Sequence, residues 1–380
     1  MSPVLAFARH KQPEIIQFLK ALVECESPSD SAVAVNRFVD LLATHLSPLG
    51  DVKMLQKSRF GTHLRCEIAL PGHKKEGQIL ILGHSDTVWP LGTLKTMPFR
   101  HAKGRLWGPG VLDMKAGIAF FVYAVEALRE LDMPVKRRVL LQVNSDEEVG
   151  SETSRPFTEK AAKRSNAVLV LEPGSGLEGK LKTARKGVGN YSVTVHGNAA
   201  HAGIDFAAGA SAVLELARQI ERIAAFTQIE RGITVNPGVI VGGTRTNVVA
   251  AEARAEFDIR IARGKDAAWL DRKFRGLRPF DKRCRIEVSG GLNRPPMERS
   301  TGIRKLFNTA KQIAANELAI AIEESSTGGG SDGNFTAALG IPTLDGLGGV
   351  GEGAHALNES ILVDRIADRT ALLALLMAAL

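Results

Sequence analysis

Three short apolar runs in the first half of the chain end on acids or on histidine. They are "QILILGHSD" (78–86), "RRVLLQVNSDEE" (137–148) and "NAVLVLEPG" (166–174). Unbroken apolar runs of this length mark parallel strands whose sheet is covered on both faces. A helical stretch, "AGIAFFVYAVEALREL" (116–131), separates the first from the second. Strands that alternate with helices imply an α/β sheet. In such sheets ligands bind beyond the carboxyl ends of the strands. The pattern therefore gathers His84 with Asp86, Glu147 with Glu148, and Glu172 along one edge.

The texture changes after about residue 185. "GNYSVTVHG" alternates, and so does "EARAEFDIRIA", with Ala253, Ala255, Phe257, Ile259 and Ile261 on one face and Arg254, Glu256, Asp258 and Arg260 on the other. Alternation of this kind marks a half-solvated antiparallel strand. An amphipathic helix, "SAVLELARQIERIAAF", lies between them. At 380 residues the chain exceeds one ordinary core. We expect an α/β domain split between 1–185 and 298–380, with an α+β module inserted at 186–297.

The formal net charge of +8 raises the question of nucleic acid. Lysines and arginines are interleaved with acids, and aromatic residues are only 5%, so a base-stacking surface is disfavoured and small anionic substrates fit better. Cys25, Cys66 and Cys284 have no CxxC spacing and suit a reducing compartment. The N-terminal stretch reads as an amphipathic helix rather than a signal peptide. The closing "ALLALLMAAL" is too short to span a bilayer and reads as a buried helix. The expectation is a soluble cytoplasmic protein that binds neither nucleic acid nor membrane.

Each polar residue has a plain reading when taken alone. His84 and Asp86 could be a capped strand end, Asp113 in "GPGVLDMKAG" a helix N-cap, Glu172 a solvated strand end, and His355 in "GEGAHALNES" an ordinary loop histidine. Taken together, His84, Asp113, Glu172, His355 and a glutamate of the Glu147–Glu148 pair are five imidazole and carboxylate donors at loops and strand ends, without a thiolate. That set suits zinc, manganese or cobalt. Five ligands with one shared between two metals give three for each and leave room for a water.

"GHSDTV", "GPGVLDMKAG", "SDEEVGS", "VLEPG", "GNAAHAG", "FDIR", "GGGSDGN" and "GAHALNE" follow one another along nearly the whole chain. In this order the set resembles the di-zinc metallopeptidase family of aminoacylases, acetylornithine deacetylases and glutamate carboxypeptidases, and most of all the last. The resemblance implies a zinc-exopeptidase-like sheet sandwiched by helices, with the inserted module as a lid and dimerisation domain. It implies two zinc ions per chain bridged by Asp113, one also held by His84 and Glu172 and the other by Glu148 and His355. Asp86 would orient His84, and Glu147 would be the general base. His201 would reach across a homodimer to polarise the scissile carbonyl. Asn247 would help hold the substrate, and Arg260 would clasp its free carboxylate, as a guanidinium fork can. The peptide bond after the bridging aspartate is cis in this family, which implies the same for Asp113–Met114. "GGGSDGN" could supply backbone N–H groups to an anion. The turn "GIDFAAG" departs from the family, where many relatives carry a proline.

The expected activity is hydrolysis of an amide bond next to a free-carboxylate amino acid, releasing C-terminal glutamate from a small peptide. N-acyl amino-acid deacylation is the alternative. A silent paralogue that only binds peptides or amino acids is disfavoured, because all five ligands and the base are present. Asp146 receives no role beyond a turn or a contact behind the site.

Overall fold

The structure, a computed structural model, describes residues 2–380, including every side chain except those of 56–58. The chain divides into two compact units. The first holds the chain through Ala184, Arg299–Ser326 and Ser331–Leu380; the second holds Arg185–Glu298 and Thr327–Gly330. The short return Thr327–Gly330 thus clusters with the second unit, whereas the sequence division leaves it with the first.

The first unit is built on a six-stranded mixed sheet. Its order is Gly50–Ser58, Gly61–Ile68, Arg138–Asn144, Gln78–His84, Ala167–Val170 and Thr343–Leu344. The last four run parallel, and the two from Gly50 and Gly61 complete one side in antiparallel pairing. Side chains alternate between its faces. Ile79 and Ile81 join a large core that includes Leu19, Phe121 and Leu373 from the helices Gln12–Glu24, Ala116–Glu130 and Ile366–Ala379. Leu80 and Leu82 point the other way, into a smaller cluster with Ala161 and Ala162 of the helix Arg155–Ala162. Helices on both faces explain why these strands carry no polar alternation. Each buried leucine or isoleucine contributes about 1.5–3 kcal/mol. The terminal helix Ile366–Ala379 is buried over most of its length. Among the described residues no helix is long and apolar enough to cross a membrane.

Register aligns the strand ends. His84 pairs with Asn144, and Leu82 pairs with Val170, so the residues after His84, Asn144 and Val170 leave the sheet side by side.

The second unit is a four-stranded antiparallel sheet ordered Thr234–Gly242, Glu252–Ile261, Gly187–His196 and Arg285–Arg294. Its core joins Ala255, Phe257 and Ile259 to Leu216 of the helix Ala212–Ala224 and Phe274 of the helix Ala267–Arg275. Tyr191 stacks on Phe274 with ring centroids 3.9 Å apart. The strand Thr234–Gly242 forms one edge of this sheet.

Candidate metal centre

Beyond the strand ends of the first unit, five side chains form two groups of three donors each: His84, Asp113 and Glu172, and Asp113, Glu148 and His355. Asp113 belongs to both. Its Oδ1 lies 3.2 Å from His84 Nε2, and its Oδ2 lies 3.4 Å from His355 Nε2. Glu172 Oε1 is 3.6 Å from the same His84 nitrogen. Asp113 precedes the helix Ala116–Glu130, but its carboxylate faces the two histidines rather than capping that helix. The Asp113–Met114 peptide bond is cis. His84 and Glu172 are buried, while His355, at a positive φ of 63°, is half exposed.

Asp86 is buried, and its carboxylate does something the sequence does not show. Oδ1 accepts the N–H of Glu147 at 3.2 Å, and Oδ2 accepts the N–H of Glu148 at 3.1 Å and the Ser29 hydroxyl at 2.8 Å. Asp86 also faces His84: its backbone carbonyl lies 2.9 Å from Nδ1 and its carboxylate 3.5 Å. The same carboxylate thus faces His84 and holds the backbone of the glutamate pair.

A regular strand would send Glu147 and Glu148 to opposite faces. The strand stops at Asn144 and the chain turns through 147–150. Asp146 anchors that turn. Its Oδ2 accepts the Thr153 N–H at 2.7 Å, the Thr153 hydroxyl at 2.6 Å and the Ser154 N–H at 3.3 Å. Glu148 enters the second donor group, whereas Glu147 belongs to neither group and shares a narrow cleft with His84, Met114 and Glu172.

Glu359 closes the motif "GAHALNE", where the sequence assigns it no role. It is fully buried, and its carboxylate accepts the N–H groups of Gly110, Leu112 and Asp113 and the indole N–H of Trp89. An acid at the end of a glycine-rich loop reads as solvated, and nothing in the residue types marks it otherwise.

The charges are out of balance. Burial disfavours a charge on His84, yet the facing carboxylates of Asp113, Asp86 and Glu172 hold its pKa well above the ordinary value. Asp113 and Glu148 raise His355 to about 10. Burial alone would push Asp113 up, but the two histidines hold it far below the usual carboxylate range. Burial raises Glu148 despite His355. His355 Nε2 lies 3.3 Å from Glu148 Oε1 without hydrogen-bond geometry, and that buried oxygen has no hydrogen-bond partner. An excess of carboxylate, an orphaned buried oxygen and a nitrogen–oxygen donor set fit divalent cations of the zinc, manganese or cobalt kind.

In "GGGSDGN" several N–H groups are met from within the stretch. The Ser331 N–H is taken by Asn334 Oδ1, the Gly333 N–H by Ser331 Oγ, and the Asn334 N–H by the Ser331 carbonyl. Asp332 ties back to Asn144 and Ser151.

His201, Asn247 and Arg260 lie in the second unit. His201 and Asn247 are brought together: the Ala202 N–H bonds the Asn247 carbonyl at 2.9 Å, and His201 bridges to Val248. His201 is exposed, and its Nδ1 accepts the Gly203 N–H at 3.2 Å, so a neutral ring carries its proton on Nε2. The fork of Arg260 is engaged by Asp258, at 2.8 Å from Nε and 2.7 Å from Nη2, while Nη1 donates to the Gly328 carbonyl at 3.1 Å.

Comparison with known proteins adds to this geometry. The family described as "Peptidase family M20/M25/M40" matches residues 80–379. Carboxypeptidase G2 of Pseudomonas sp. (strain RS-16) is 28% identical over 354 residues, covering 92% of this chain and 85% of that protein. Succinyl-diaminopimelate desuccinylase of Paracidovorax citrulli is 28% identical over 348 residues, covering 86% of this chain and 88% of that protein. Among solved structures, an M20 family metallo-carboxypeptidase of Sulfolobus solfataricus superposes with a TM-score of 0.76 at 16% identity, over 97% of this chain and 100% of that one, a likeness of fold.

Proposed function

Because the chain belongs to peptidase family M20/M25/M40, whose members are metal-dependent hydrolases, we propose that it cleaves an amide bond next to a free-carboxylate amino acid and releases C-terminal glutamate. The observation that carries this reading is the pair of donor groups sharing Asp113, beside a glutamate that belongs to neither. Two zinc ions per chain suit these donors, with His84 and Glu172 completing one position and Glu148 and His355 the other. Metals held there would lower the pKa of a water and polarise the amide carbonyl. Glu147 takes a proton from the attacking water and returns it to the leaving nitrogen, so that its carboxylate ends each turnover as it began. Asp86 fixes the backbone from which Glu147 acts. His201, reaching across a homodimer, offers its Nε2–H to the carbonyl oxygen as negative charge develops. Asn247 and Arg260 hold the substrate, with Arg260 exchanging Asp258 for the substrate carboxylate. The second unit serves as lid and dimerisation domain. Free Cys25, Cys66 and Cys284 suit the cytoplasm as its location.

The desuccinylase relative, similar over 86% of this chain, favours a second reading as an N-acyl amino-acid deacylase. A hydrolysis screen separates the two. Peptides and folate-type amides ending in glutamate should be cleaved faster than N-acetyl or N-succinyl amino acids, and a chelator should abolish both activities. Faster deacylation would favour the second reading. Full activity in metal-free protein would overturn both.

A further inference from the structure

Four donors converge on the Glu359 carboxylate. Oε1 accepts the N–H groups of Leu112 at 2.9 Å and Asp113 at 3.0 Å; Oε2 accepts that of Gly110 at 2.9 Å and the Trp89 indole N–H at 2.7 Å. A carboxylate in the interior is costly unless its lone pairs are met, and bonds to an ionised acceptor are the strong ones. The gripped segment has only a single wide turn of helix to fix it: the Lys115 N–H bonds the Gly110 carbonyl at 3.0 Å and the Ala116 N–H bonds the Val111 carbonyl, while the N–H groups of Gly110, Leu112 and Asp113 go to Glu359. Asp113 sits at φ −113° and ψ 95°, and Met114 at φ −130° and ψ 34°. The carboxylate therefore takes the three N–H groups that this irregular turn leaves without a backbone partner. The loop that delivers Glu359 also delivers His355. Within it the Glu359 N–H bonds the Ala356 carbonyl at 2.9 Å, and the Ala356 N–H bonds the Gly353 carbonyl at 2.8 Å. One loop thus supplies a donor to the second group and grips the residue common to both.

We infer that Glu359 is a positioning residue that sets the Asp113 carboxylate between the two metal positions, so that losing it weakens both positions together. This rests on the reading of Asp113 as the shared ligand. Groups that orient metal ligands from behind change affinity by about 10–100-fold. A purely structural role would lower the melting temperature of the metal-free protein and leave the affinity of the folded protein unchanged.

The experiment titrates metal-stripped protein with zinc in a calorimeter against a competing chelator, using wild type, Glu359→Gln, Trp89→Phe and, as a single-position control, Glu172→Gln. Glu359→Gln should weaken both binding steps by about 10–100-fold. Trp89→Phe, which keeps the carboxylate and removes one of its donors, should weaken both steps towards the lower end of that range. Glu172→Gln should weaken one step only. Wild-type affinity at both positions in folded Glu359→Gln overturns the inference. If Glu359→Gln does not fold, Trp89→Phe decides in the same way. A wild-type protein that takes up no zinc overturns the reading of the site, and this inference with it.

Discussion

Glu147 and Glu148 are neighbours in the chain but have different company in space. Glu148 faces His355 and Asp113, whereas Glu147 lies in the cleft beside His84 and Glu172 without entering either donor group. Replacing each with its neutral isostere should separate proton transfer from metal binding. Glu147→Gln should lower kcat by about 10²–10⁴-fold while metal analysis still finds two ions per chain. Glu148→Gln should lose one ion. The reverse pattern would exchange the two assignments. The ligand residues were legible because their types are scarce at strand ends and their chemistry is common to all of them. The residues that hold those ligands in place were not. Asp86, Asp146 and Glu359 act on backbone N–H groups, and every residue but proline carries one, so no spacing in the sequence points to such contacts.

At the scale of elements, the turn after the strand Arg138–Asn144 is pinned from a neighbouring strand. His63, in the strand Gly61–Ile68, accepts the Ser145 N–H at Nδ1 (3.1 Å) and bonds the Thr153 hydroxyl through Nε2 (3.1 Å). Thr153 in turn donates to Asp146. This chain requires a neutral imidazole. Burial lowers the His63 pKa, against partial opposition from Asp146, Asp332 and Asp86. The unfolded chain therefore binds a proton that the folded chain refuses. The stability from His63 is complete above its unfolded pKa, near 6.5, and is lost as pH falls below that. Urea midpoints should drop between about pH 7 and 5, and His63→Gln should flatten that slope. Equal slopes would exclude His63 as its source. Sequence patterning found the strands and helices around this turn because burial writes itself into apolar spacing. It does not show that within "GGGSDGN" side chains take the N–H groups of Ser331 and Gly333.

At the scale of the whole molecule, the change from unbroken to alternating strands announced two units, because a sheet covered on both faces and a half-solvated sheet bury different residues. The return of Thr327–Gly330 to the second unit left no such mark. That unit also presents an apolar edge. On the strand Thr234–Gly242, Val239, Ile240 and Val241 are 49%, 61% and 62% exposed, and Leu214 on the helix Ala212–Ala224 is 54% exposed. An exposed apolar edge strand invites pairing with another chain. We propose a second copy as that partner. Ile240→Lys should raise the dimer dissociation constant at least about tenfold, roughly 1.4 kcal/mol, read by light scattering across a dilution series. Turnover should fall with the dimer if His201 acts across it, while metal content stays constant.

Asp86 spans chemistry it never performs. One carboxylate holds the amides of Glu147 and Glu148, and the same residue's carbonyl aims His84. Residues that act as a unit lose far less in combination than their separate losses suggest. A ranking of positions by lost rate would therefore set Asp86 beside Glu147, as though it touched the substrate. The apparent importance of a side chain in such a ranking measures how many others lean on it, and on Asp86 lean Ser29, His84 and both glutamates.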